Sequence, residues 1–123
     1  MPIAAPSRGP IPKKVLVVED IALIRMTTTD MVEEIGYRTV EAGSGEEALA
    51  ALAGDAEISV LLTDLGLPGM SGQQLIEKAL KIRPDIKVVV ASGSEFESSD
   101  FSGQIAKLIK PFDIEQLRRA LAG

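Results

Sequence analysis

Val60-Leu61-Leu62-Thr63-Asp64-Leu65-Gly66-Leu67-Pro68-Gly69 reads as a strand that ends on an acid and turns at once. The run before Asp64 is apolar without alternation, as expected of a parallel strand covered on both faces. The Gly-Pro-Gly-rich loop behind it stops the strand. Three other apolar runs end in the same way. Val15-Leu16-Val17-Val18 runs into Glu19 and Asp20, Val88-Val89-Val90-Ala91 into Ser92, and Leu108-Ile109 into Lys110. Parallel strands of one sheet carry all these ends to a single edge. That edge then holds three carboxylates, a hydroxyl and an ammonium.

The rest of the chain alternates strand and helix. Strands are expected near 14–19, 38–42, 58–63, 86–91 and 106–109. The second, Arg38-Thr39-Val40-Glu41-Ala42, alternates in polarity and reads as an edge strand. The first helix carries Ile24, Met31 and Ile35 at helical spacing and stops at Gly36. The second opens on a capping box in which Ser44 caps and Glu47 reaches back, and its stripe is Ala48, Leu49 and Leu52. The third opens on Ser71 with Gln74, buries Leu75, Ile76, Ala79 and Leu80, and ends at Arg83-Pro84. The last opens at Asp113 with Gln116 and buries Ile114, Leu117 and Leu121. Residues 95–103 are polar and poor in helix formers, so a short frayed helix or an irregular loop is expected there, with Phe96 and Phe101 in a satellite core. Five strand–helix units with right-handed crossovers give an α/β fold: a doubly wound five-stranded parallel sheet of order 2-1-3-4-5, a flavodoxin-like (βα)5 arrangement with a short or irregular fourth helix. Its ligand site lies where the strand order reverses, between the first and third strands, and Asp20 and Asp64 fall there.

Composition narrows the chemistry. The 123 residues suffice for one domain, taken as 13–123. A lead-in over 1–12, with four of the seven prolines (Pro2, Pro6, Pro10, Pro12), reads as disordered. There is no cysteine and no histidine, which excludes disulfides, thiolate nucleophiles, imidazole metal ligands and a Ser-His-Asp triad. A bound metal must take oxygen ligands, so Mg2+, Mn2+ or Ca2+ is implied. Any phosphohistidine must belong to a partner. The net charge of −5, the few aromatics and the lack of a basic stripe argue against nucleic acid. No apolar stretch reaches the roughly 20 residues that span a bilayer, and no signal core opens the chain, so no membrane contact and a cytoplasmic location are expected. The initial Met and ordinary lead-in favour the expectation of a complete chain over a piece cut from a larger protein.

Three carboxylates gathered at one edge repel unless a cation joins them. A small oxygen-lined site suits Mg2+, with Asp20 and Asp64 as direct ligands, Glu19 acting through water, and the Gly66 carbonyl completing the set. A carboxylate beside Mg2+ is itself a nucleophile that forms an aspartyl phosphate. Lys110 supplies a cation and Ser92 a hydroxyl for the phosphoryl oxygens.

These residues resemble the receiver domains of two-component response regulators. The resemblance rests on Val18-Glu19-Asp20, on Thr63-Asp64-Leu65-Gly66-Leu67-Pro68-Gly69-Met70-Ser71-Gly72, on Ala91-Ser92-Gly93 and on Lys110-Pro111-Phe112, and it runs from about Lys13 to Leu121. It implies that a sensor histidine kinase or a histidine phosphotransfer protein donates a phosphoryl group to Asp64. It also implies a cis bond before Pro111 that aims Lys110 into the site. The chain departs from the family pattern at three points: Lys107 replaces the usual aromatic, the Ser92–Lys110 segment is several residues short, and Gly66 brings no side chain beside the acceptor.

The function expected is a single-domain receiver, not an enzyme, that acts as a phosphorylation-dependent switch for an unknown downstream protein or as a phosphate shuttle. Besides a degenerate receiver that acts only as a binding scaffold, two alternatives stay open. One is a receiver module from a hybrid histidine kinase, which the short segment favours. The other is a Mg2+-dependent phosphatase or phosphotransferase, which would need a general acid that Gly66 does not provide. Gly43-Ser44-Gly45-Glu46-Glu47-Ala48 fits a dinucleotide-binding pattern, but it follows the second strand and places two acids where a pyrophosphate would bind.

Overall fold

The computed structural model describes residues 12–93 and 105–122. Among them, β1 (Lys14–Val18), β2 (Arg38–Ala42), β3 (Ile58–Asp64), β4 (Lys87–Ser92) and β5 (Ile105–Ile109) form one sheet of order β2-β1-β3-β4-β5. Every pairing is parallel. The helices are α1 (Ala22–Ile35), α2 (Gly45–Gly54), α3 (Gly72–Ile82) and α4 (Ile114–Ala122). The order is the one expected, with the alternating strand at an edge. Expectations for residues 1–11 and for 95–103, including Phe96 and Phe101, fall outside the described residues.

The unbroken apolar runs follow from two cores. Successive strand side chains point to opposite faces. Leu16, Val18, Leu61, Val88 and Val90 therefore pack with Ala48 and Leu52 of α2 and Leu75, Ile76 and Ala79 of α3. Val15, Val17, Val60, Leu62, Val89 and Ala91 pack on the other face with Val32 of α1 and Leu117 and Leu121 of α4. Each fully buried Leu or Val contributes about 1.5–3 kcal/mol relative to exposure.

The stripe expected on α1 needs correction. Met31 and Ile35 pack against the second core, but Ile24 is 38% exposed. The buried face of α1 is instead Thr28, Thr29 and Val32. Ile24 lies on the first turn, beyond the last residue of β1, where no strand covers it. Leu80 is half-buried rather than buried and only packs against the first core; Ile114, on the first turn of α4, is half-buried too.

The caps hold with one change. Ser71 and Gln74 exchange both bonds of a capping box, at 3.1 and 3.0 Å. Asp113 and Gln116 make the same reciprocal pair at 2.8 and 2.9 Å. Ser44 accepts from Glu47 N–H at 3.1 Å, but Glu47 reaches past the cap and accepts from Gly43 N–H at 2.7 Å. The extended Ser44 backbone, at φ −155° and ψ 167°, leaves Gly43 N–H as the donor that meets this carboxylate. Gly36 ends α1 at φ 121°, where a side chain would be strained.

One close approach ties α3 to β3. Gly72 N–H donates to Leu65 carbonyl at 3.1 Å. A Cβ at Gly72 would sit 2.6 Å from Leu65 Cα and collide with the Asp64 carbonyl oxygen. Those are backbone atoms, so they have no rotamer to yield. Gly72→Ala is therefore expected to destabilise by about 1–3 kcal/mol, as overpacking does. Gly54→Ala, with nothing within 4 Å of the added methyl, should be neutral or slightly stabilising. Thermal melts of the two variants check this; equal melting temperatures would refute the close-packing argument.

Candidate functional site

Strand register assembles the site. Val18 pairs with Thr63 and Asp64 with Ala91, so Glu19, one step beyond Val18, arrives beside Asp64. Ser92, the last residue of β4, pairs with Ile109. Lys110 follows, and its N–H donates to the Ser92 carbonyl at 2.7 Å. The Lys110–Pro111 bond is cis, as the resemblance implied.

Lys110 reaches back across the sheet edge. Its Nζ lies 2.8 Å from Asp64 Oδ2 and 3.4 Å from Glu19 Oε1. Asp64 Oδ1 accepts from Gly66 N–H at 3.0 Å, and Glu19 Oε2 accepts from Ile21 N–H at 3.2 Å. Glu19 is 4% exposed, whereas Asp20 beside it is exposed. Lys107 stands exposed on β5.

The charges are tuned in opposite directions. Burial pushes the Glu19 carboxyl up, the neighbouring Asp20 and Asp64 carboxyls add to this, and Ile21 N–H and Lys110 oppose it. Burial would also raise Asp64, but Gly66 N–H and the Lys110 ammonium outweigh it and hold the carboxyl below the usual range. Burial works against the charge on Lys110, yet the two carboxylates keep it protonated well into alkaline pH. Asp64 is thus an ionised, hydrogen-bonded carboxylate at neutral pH.

The donor set fits a hard divalent cation. Glu19 and Asp64 meet at one corner with Asp20 next in sequence, and the chain has no imidazole or thiolate ligand. Among the described residues, no three acids stand together in a ready metal-holding geometry. Lys110 lies between Glu19 and Asp64 and offsets one of their two charges. The Gly66 backbone lies against the Asp64 carboxylate.

Two features escaped the sequence reading. Arg25 Nη1 donates to the Glu19 carbonyl at 2.6 Å, and its Nε donates to Glu41 Oε1 at 3.1 Å. The signal available was that Arg25 is the one basic residue of α1. Beside Asp64 there is also an apolar groove of about 550 Å3 between α1 and the residues after β5. Leu23, Ile24 and Met31 form one wall, Pro111 and Phe112 the other, and Ala91 part of the floor.

Glu19→Gln keeps an acceptor for Ile21 N–H and removes the buried charge. A carboxyl whose folded pKa is raised destabilises the fold when ionised, and that penalty vanishes below its ordinary value of 4.5. The metal-free variant should therefore melt above the wild type at neutral pH, with the gap closing as pH falls through the acid range. Melts across pH check this, and a variant that melts lower at pH 7 contradicts it.

Comparison with known proteins agrees with this geometry. The response regulator receiver domain family matches residues 15–122. The chain is 29% identical over 113 residues to sporulation initiation phosphotransferase F of Bacillus subtilis, covering 89% of this chain and 90% of that protein. It is 34% identical over 110 residues to sensor kinase CckA of Brucella abortus, covering 84% of this chain but 11% of that protein. Among solved structures it resembles the response regulator protein TrrA of Thermotoga maritima in complex with Mg2+-BeF, with a TM-score of 0.80, 27% identity, and coverage of 89% of this chain and 96% of that one. The chain belongs to the response regulator receiver domain family.

Proposed function

We propose that Asp64 accepts a phosphoryl group from a phosphohistidine on a sensor histidine kinase or a histidine phosphotransfer protein, and that the chain is a single-domain cytoplasmic receiver. The observation that carries this reading is the ionised Asp64 carboxylate held by Lys110 Nζ at 2.8 Å on the sheet edge. Each of its oxygens accepts one hydrogen bond and keeps a lone pair for attack. An Asp64 oxygen bonds to phosphorus, the phosphorus–nitrogen bond of the donor breaks, and the imidazole leaves with that electron pair. Lys110 and the Ser92 hydroxyl then face the added charge on the phosphoryl oxygens.

Mg2+, held by Glu19, Asp20, Asp64 and the Gly66 carbonyl, supplies charge neutralisation at the phosphoryl oxygens when bound. Support for this metal comes from the oxygen-only donor set and from the Mg2+-BeF complex of the similar TrrA. The donor is a protein because the groove beside Asp64 is apolar, and Leu23 and Ile24 in its lining are exposed. That surface suits the side chains around a partner's phosphohistidine. The domain is a switch rather than a turnover enzyme: Gly66 offers no side-chain acid beside Asp64 to drive release. Phosphorylation then biases the surrounding loops toward a form that a downstream protein recognises, or passes the group on. Likeness to the kinase CckA keeps a second reading, a receiver module of a hybrid histidine kinase.

A small phosphoramidate donor with Mg2+ should add one phosphoryl group to the wild type and none to Asp64→Asn, read by intact mass. Equal incorporation in both would refute Asp64 as acceptor. Mg2+ should also stabilise the native state, by about 1.4 kcal/mol at ten times its dissociation constant. A melting temperature unmoved by saturating Mg2+ would refute the metal site.

A further inference from the structure

We propose that Arg25 is a positioning residue for the metal-binding acids, setting Mg2+ affinity by clasping the β1–α1 loop from behind. The proposal rests on the Mg2+ reading of this site given above. Glu19 and Asp20 lie on a loop that begins where β1 ends and runs into α1. The loop has little support of its own. Ile21, at the start of α1, makes no side-chain cap, and no acid occupies the first helical turn. What holds the loop is a set of bonds to Glu19. Its N–H donates to the Ala42 carbonyl at 3.1 Å, its carboxylate accepts from Ile21 N–H, and its carbonyl accepts from Arg25 Nη1 at 2.6 Å.

Arg25 is suited to this by its place on the helix. Helical side chains lean toward the N-terminus, so a long residue one turn into α1 returns to the loop that precedes it. Its planar fork then meets two acceptors, the Glu19 carbonyl and Glu41 Oε1 on β2. The guanidinium also lies against the β2–α2 turn: a Cβ at Gly43 would be 3.4 Å from Nη1. The side chain is 21% exposed, so three elements converge on it. An exposed ion pair with Glu41 alone would contribute little. The bond to the Glu19 carbonyl differs in kind, because it fixes backbone geometry at a residue whose side chain faces Asp64. Residues that orient ligands without touching the metal commonly change its affinity by 10–100-fold.

Charge and geometry predict opposite signs, which makes the proposal testable. Removing a cation near three acids would, by charge alone, tighten Mg2+ binding. Releasing the loop would weaken it. Arg25→Gln should weaken Mg2+ binding at least tenfold by isothermal titration calorimetry on the full chain. Arg25→Lys, which keeps one donor for the Glu19 carbonyl but loses the fork, should fall between Arg25→Gln and the wild type, and it serves if Arg25→Gln fails to fold. Glu41→Gln, which keeps an acceptor for Nε, should stay near the wild type. In phosphorylation by the small donor, the Mg2+ needed for half-maximal rate should rise by the same factor, while the rate at saturating Mg2+ is kept. A Mg2+ affinity unchanged or tighter in both Arg25 variants overturns the proposal, whatever happens to the metal-free melting temperature. A wild type that takes up no Mg2+ overturns the metal reading itself and the role of Arg25 with it. A wild type that binds Mg2+ beside Arg25 variants that bind it equally well removes only Arg25.

Discussion

The Lys110 ammonium between Glu19 and Asp64 is the interaction on which the arrangement of this edge depends. Two carboxylates from different strands, one of them nearly buried, cannot share a corner in their ionised forms without a counter-charge. Lys110 provides it from a third strand. The contact spans 91 residues to Glu19 and 46 to Asp64, so it closes only when β1, β3 and β5 are in register. The sheet order, with β3 and β4 between β1 and β5, bears on where that ammonium arrives. The opposite tuning of Glu19 and Asp64 follows from their partners. Burial raises both, but Glu19 meets other acids, while Asp64 gains the Gly66 N–H and the closer approach of Lys110.

Much of this was legible in the sequence, for local reasons. An apolar run ending on a charged residue marks both a strand and its exit point, so Glu19, Asp64, Ser92 and Lys110 could be assigned to one edge before any coordinates. Alternation in Arg38–Ala42 marked the edge strand, and the Ser71–Gln74 and Asp113–Gln116 spacings marked helix starts, because a cap acts over three residues. What escaped was set by packing between distant segments. Thr28 and Thr29 read as polar yet form much of the buried face of α1, while Ile24 is left out. Glu47 was assigned to the cap but serves Gly43. Arg25 carried no mark in the sequence because its partners lie on β2 and on the loop before its helix. The groove beside Asp64 belongs to no single element and has no sequence signature.

Both cores share one layer of strands. Leu61 faces one core and Leu62 the other, with Thr63 and Asp64 next in line. Asp64 is therefore a continuation of the most deeply packed strand, whereas Glu19, Asp20 and Gly66 lie on loops. Sites on rigid elements hold their geometry more closely than sites on loops do. The shell around Asp64 is uneven in this respect: Thr63 beneath it is buried, while Gly66 just beyond it is exposed.

Gly72 gives that unevenness a mechanical direction. The first turn of α3 rests on the backbone of Asp64 and Leu65 with no side chain as a spacer. A spacer acts as a bearing, letting two elements shift independently through rotamer changes; bare backbone contact behaves like a weld. Any tilt of the peptide after Asp64 must then be taken up by α3 as a rigid lever, and through Leu75, Ile76 and Ala79 by the core that α3 shares with α2. The opposite face, under α1 and α4, has no such weld to Asp64 among the described residues. Movement that starts at this carboxylate has a stiff side and a compliant side, and α3 lies on the stiff one.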